Sequence, residues 1–123
     1  MGKYDELFRA AEALKGDKLI SERDEEGYYY TDAVKKFYDE VDKIGQLPDF
    51  CPGKDSEIVK RNGLKNVYTF DVSDKDAECV LAFLVYIYRG ERFMDELTID
   101  VIKEGVIGRA IDRLKELDAE EKA

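Results

Sequence analysis

Residues 77–88 read Ala77, Glu78, Cys79, Val80, Leu81, Ala82, Phe83, Leu84, Val85, Tyr86, Ile87, Tyr88, and Glu78 is the only charged side chain among them. Ser73, Asp74, Lys75 and Asp76 come just before and form a capping box that opens a helix. A helix that is apolar on every side must be surrounded by other elements. Its unbroken apolar run, Cys79 to Tyr88, is ten residues long, whereas a membrane span needs about twenty. The stretch therefore predicts a buried helix to about Tyr88, at the centre of a soluble fold.

Working outward, the flanking segments supply amphipathic helices to surround it. Tyr4, Leu7, Phe8, Ala11 and Leu14 recur at helical spacing until Gly16, which predicts a helix over residues 3–15. Val34, Phe37, Tyr38, Val41 and Ile44 form a second stripe, with Thr31 as N-cap and Gly45 at the C-terminal cap position. Asp55 to Arg61 forms two further turns ended by Asn62 and Gly63. Thr98 caps a short helix to Lys103, and Gly105 breaks it. A last helix turns Ile107, Ala110, Ile111, Leu114 and Leu117 inward, and residues 118–123 are expected to fray.

Between these helices the pattern weakens. Asp17 to Gly27 is acidic and reads as a loop, and Pro48, Pro52 and Gly53 make residues 46–54 an irregular connection. Val67 to Val72 is the one strand-like piece, with Tyr68, Phe70 and Val72 on one side. The expected fold is all-α: a single domain of four to five helices packed around the central apolar one, with at most a minor two-stranded β piece.

Composition narrows the function. At 123 residues the chain is long enough to bury one core. The net charge of −9 is spread evenly, −5 in residues 1–53 and −4 in residues 54–123. Such a surface repels phosphate backbones and anionic lipid, so neither nucleic acid nor membrane is an expected partner. Cys51 and Cys79 are the only cysteines and no secretory segment precedes them, which points to reduced thiols in a cytoplasmic protein.

The chain has no histidine, which removes Ser-His-Asp and Cys-His catalysis and imidazole metal ligands. Glycine-rich phosphate loops are also absent, and no cofactor or metal is implied. Asp71, Asp74, Asp76 and Glu78 lack the glycine and the spacing of a calcium loop. Asp74 and Asp76 instead suit the dipole of the helix they open. Thr98 to Leu117 has the outline of a helix-turn-helix with Gly105 at the turn. Its second helix, however, sets Arg109, Arg113 and Lys115 against Asp112, Glu116 and Asp118, and a neutral helix on an acidic domain is poorly suited to DNA.

Two candidate sites remain. Arg89, Gly90, Glu91, Arg92, Phe93, Met94 and Asp95 follow directly on the apolar helix. Arg89 and Arg92 are able to present guanidinium forks to a small anion, with Phe93 as a stacking wall. Against this stands an internal network, in which the arginines pair with Glu91, Asp95 or the carbonyls ending the helix; this is the preferred reading. Tyr28, Tyr29 and Tyr30 are three aromatics between an acidic loop and a helix cap, serving either as an interaction surface or as cover for the end of the core.

The order of apolar helix, Arg89 to Asp95 segment, then Gly105, Val106, Ile107 and later Arg113, Leu114 resembles an uncharacterised prokaryotic family, a domain of unknown function. The resemblance takes in the helix at residues 31–44 as well. It implies a helical fold and carries no activity. Met94 and Glu96 stand where that pattern has cysteine and glycine, which speaks against a thiol-based role. The function expected is a small acidic regulatory or protein-interaction domain rather than an enzyme, with a protein partner or a second copy of itself. The alternative is binding or turnover of a small anionic ligand at Arg89 and Arg92.

Overall fold

The computed structural model describes residues 4–16, 20–24, 27–30, 32–47, 50, 54–90 and 101–122. Helix α1 spans Asp5–Gly16 and is followed by strands β1, Ile20–Asp24, and β2, Gly27–Tyr30. Then come α2 at Asp32–Gly45, α3 at Lys54–Arg61, α4 at Ala77–Gly90 and α5 at Val106–Lys122. Residues 101–103 are helical as well. The architecture is an all-helical bundle with one small two-stranded appendage.

Helix α4 is the centre. Cys79 through Val85 and Ile87 are all buried, as a helix without a polar face requires. Helices α2, α3 and α5 pack on it, while α1 lies mainly on α2 and meets α5 only sparsely. The stripes insert as their spacing dictates: Leu7, Ala11 and Leu14 from α1, Val34, Phe37 and Val41 from α2, and Ile107, Ala110, Ile111 and Leu114 from α5. Tyr38 and Ile44 are only partly buried. The Tyr38 ring stacks at a tilt on Tyr88, with centroids 4.9 Å apart. Among the described residues no helix is long and apolar enough to cross a membrane.

Several local expectations change. The cap of α4 is Asp76 rather than Ser73: the Cys79 N–H donates to Asp76 Oδ1 at 2.9 Å, and the helix begins at Ala77. Ser73 instead belongs to a preceding turn, its N–H donating to Asp71 Oδ1 at 2.9 Å. That bonding from Ser73 holds the Asp71 carboxyl below its usual range. Thr31 and Thr98, the other expected caps, lie outside the described residues, as do Pro48, Cys51, Pro52 and Gly53. Helix α5 continues to Lys122, past Asp118, where the sequence places the onset of fraying; Asp118 is buried.

The β structure falls elsewhere than the alternation suggests. Val67 to Val72 forms no strand. Its backbone is satisfied by turns instead: Tyr68 N–H donates to Asn66 Oδ1 at 2.8 Å and Thr69 N–H to the Asn66 carbonyl at 3.2 Å. Phe70 and Val72 still bury, and Phe70 stacks at a tilt on Phe83 of α4, 4.9 Å between centroids. Two alternating apolar positions thus serve core packing with no ladder. The acidic stretch read as a loop forms the antiparallel hairpin, pairing Ile20 with Tyr30, Glu22 with Tyr29, Arg23 with Tyr28 and Asp24 with Gly27. The register shifts between Ile20 and Glu22, a bulge that hides strand periodicity from the sequence.

Cys79 is a free buried thiol one turn into α4. Burial pushes its pKa up from 9.0 to about 11, helped by the Asp76 carboxylate. Between those values the unfolded chain releases the thiol proton and the folded chain keeps it, so stability falls as pH rises through this window. The slope from this group is at most about 1.4 kcal/mol per pH unit. Urea unfolding of wild type and Cys79→Ala at pH 8 and pH 10 checks it. The deficit of the variant is expected to shrink at pH 10; a constant deficit means the thiol titrates alike in both states.

Candidate functional site

Arg89, in the last turn of α4, is the sequence-marked residue whose surroundings are best defined. Its Nη1 donates to the carboxylate of Asp55, in the first turn of α3. The same nitrogen reaches the Phe50 carbonyl at 3.3 Å, and Nη2 donates to the Gly45 carbonyl at 2.9 Å. One guanidinium therefore ties the end of α4 to the end of α2 and the start of α3. Each contact has a local reason. The Gly45 carbonyl is an orphan acceptor at a helix C-terminus, where a cation also meets the negative end of the dipole. The Asp55 carboxylate stands at a helix N-terminus, where negative charge is favoured.

Gly45 is not the left-handed cap that its sequence position suggests. It is the last residue of α2, and its missing side chain is what matters. A Cβ there would stand 3.2 Å from Val85 Cγ1 and 3.3 Å from Arg89 Nη2. The glycine forms the notch through which the Arg89 fork reaches the α2 carbonyl.

Glu91, Arg92, Phe93 and Asp95 lie outside the described residues. Arg89 thus has its partners 34 to 44 positions away in sequence, and Asp55, Phe50 and Gly45 are not among the candidate site residues of the sequence. The one available signal is weak: an aspartate in the first turn of a helix reads as ordinary dipole compensation. Tyr28, Tyr29 and Tyr30 sit on β2, paired through their backbone with Arg23, Glu22 and Ile20, and the strand lies against α2.

Three basic side chains of α5 are turned to acceptors of the chain itself. Arg109 Nη2 donates to the Tyr68 carbonyl at 3.3 Å, Arg113 Nε to the Lys75 carbonyl at 2.9 Å, and Lys115 pairs with Glu12 at 3.1 Å. Among the described residues no group of three or more histidine, cysteine, aspartate or glutamate side chains is placed to hold a metal.

A second feature carries no sequence motif. Where α1, the end of α2 and the start of α4 meet, an apolar groove of about 540 Å³ opens, with Leu7, Ile44, Phe50 and Leu81 in its walls. Leu47 stands at its lip, 48% exposed, the one exposed large apolar side chain among the described residues. Glu40, Lys43 and Glu78 also line it, and Glu78 pairs with Arg61 at 3.5 Å. Lys43 pairs with Glu40 at 2.8 Å. Glu40 first, and then Asp39 and Glu6, hold the Lys43 ammonium above its ordinary range, and two carboxylates against one ammonium line the groove.

A family model described as a family of unknown function (DUF6508) matches residues 5–120. The chain belongs to this family. The match runs from the first residue of α1 into the last turns of α5, and so takes in both Arg89 and the Leu47 groove of this DUF6508 chain. Neither the curated proteins nor the solved structures hold a match to it. Family membership brings no activity, so function has to be argued from the sites themselves.

Proposed function

We propose that the chain is a protein-interaction domain, and that the groove beside Leu47 receives an apolar helical segment of a partner, flanked by lysine or arginine. The observation that carries this reading is Leu47, a large apolar side chain held in solvent at the lip of an apolar groove whose rim is acidic. A groove of this kind suits the insertion of side chains at i and i+4 from an amphipathic helix. Its carboxylates, on a chain of net charge −9, favour a basic partner and disfavour a second copy of the same surface. The Arg89 contacts support the same choice over the small-anion alternative. That guanidinium already faces a carboxylate and two carbonyls.

The test uses a synthetic amphipathic peptide with leucines at i and i+4 and lysines at its flanks, titrated into labelled protein and followed by NMR. Shifts are expected to concentrate at Leu7, Leu47, Ala77 and Leu81. Leu47→Asp is expected to weaken binding about tenfold, with the melting temperature unchanged because the side chain is exposed. Equal binding of the same peptide with glutamate flanks overturns the reading. So does a micromolar dimer in sedimentation that Leu47→Asp dissolves, which would assign the groove to a second copy.

A further inference from the structure

A cavity of about 550 Å³ lies where α1 faces the turn at residues 103–105 and the first half of α5. It shares no lining residue with the Leu47 groove. Its walls are Ala11 and Leu14 from α1 with Ile102, Ile107 and Ile111 opposite. The two helices that flank it are joined at the surface by Lys115, which pairs with Glu12 and lies over the Phe8 ring, 5.7 Å from its centroid. A cavity of this size and lining is in the range that small apolar molecules occupy.

Two glycines line it, and they differ in what the fold asks of them. Gly105 has φ +80°, so the turn that starts α5 requires glycine. Gly108 is the third residue of α5, where glycine is a weaker helix former than alanine. Nothing in the fold compensates for that loss: a Cβ built at Gly108 meets no atom within 4 Å. The space beside it belongs to the cavity. Glycine at this position leaves that wall of the cavity open to an occupant.

The rim indicates what that is. Glu12 and Asp112 outnumber Lys103 among its charged residues. Asp112 makes no ion pair among the described residues, whereas Glu12 is engaged by Lys115 and by a further contact. The net charge of −9 favours a cation in the same sense. We propose that this cavity binds a small apolar molecule bearing an amine, its body against Gly108 and its ammonium at Asp112.

Three probes with one apolar body test this: 1-naphthylmethylamine, 1-naphthylmethanol and 1-naphthaleneacetate, titrated into the full chain by fluorescence and NMR. The amine is expected to bind at one site, about tenfold tighter than the acetate, shifting resonances of Ala11, Ile107 and Ile111. Gly108→Leu is expected to abolish binding by filling the space. Gly108→Ala, which adds a methyl where nothing stands, is expected to raise the melting temperature while weakening the amine, so loss of binding cannot be confused with unfolding. Asp112→Asn is expected to remove the preference for the amine over the alcohol. Absence of amine binding at millimolar concentration overturns the proposal, as does undiminished binding to Gly108→Leu or equal affinity for the acetate.

Discussion

Asp55→Ala and Arg89→Ala are each expected to destabilise the domain by about 3–5 kcal/mol, the cost of breaking a buried ion pair from one side. The asymmetry of the pair decides the size. Asp55 has a side chain only 4% exposed, whereas Arg89 is 33% exposed. Removing the arginine leaves a carboxylate in the core margin without its cation, and leaves the Gly45 and Phe50 carbonyls short of a donor. Removing the aspartate leaves a guanidinium that still has two carbonyls and some solvent, so Arg89→Ala is the harsher change. The double variant Asp55→Leu, Arg89→Met is expected to recover much of the loss, since an apolar pair of similar volume dispenses with both charges. Urea unfolding of the four proteins measures this. A loss below about 1 kcal/mol for Arg89→Ala would place the pair with ordinary surface bridges. The same arginine gives the small-anion alternative a clear outcome. Phosphate and simple carboxylates are expected to leave the wild-type melting temperature unmoved, because the Arg89 charge is already met by Asp55 and its Nη atoms by two carbonyls.

Phe83→Ala is expected to cost about 3–5 kcal/mol as well, by a different route. Phe83 is 1% exposed on the face of α4 that meets the turn-rich segment after α3, and its ring lies 4.9 Å from that of Phe70. Truncation removes the buried ring and the tilted aromatic contact together, and the cavity left behind is flanked by helix backbone that cannot close over it. Leu47→Ala serves as the internal control. With Leu47 exposed at the groove lip, its loss should stay within about 0.5 kcal/mol. If Phe83→Ala falls to that level too, α4 is not the centre of the core.

The helices were legible because their evidence is local. Each stripe, such as Val34, Phe37 and Val41, repeats within one segment at the helical period, and burial follows that period wherever the segment packs. The hairpin was not legible: its strand residues are charged, a bulge interrupts their alternation, and pairing is a relation between two segments. Val67 to Val72 misled for the complementary reason. Phe70 and Val72 alternate because both reach the core from successive turns, and alternation alone cannot report whether a partner strand exists.

The candidate sites divide along the same line. Composition excluded histidine chemistry outright, and the position of Arg89 at the end of an apolar helix marked it as a residue needing partners. Which partners it has depends on Gly45, Phe50 and Asp55 meeting at one guanidinium, a relation between separate elements. The sequence reads Gly45 as a cap and gives Gly108 no role; only their surroundings separate a notch pressed against Val85 and Arg89 from an opening onto a cavity. The sequence by itself determined the helical class, the central helix and the acidic surface, because periodicity and charge belong to single segments. The Arg89 clamp, the Leu47 groove and the space at Gly108 were decided by tertiary structure alone, because each exists only where separate helices meet.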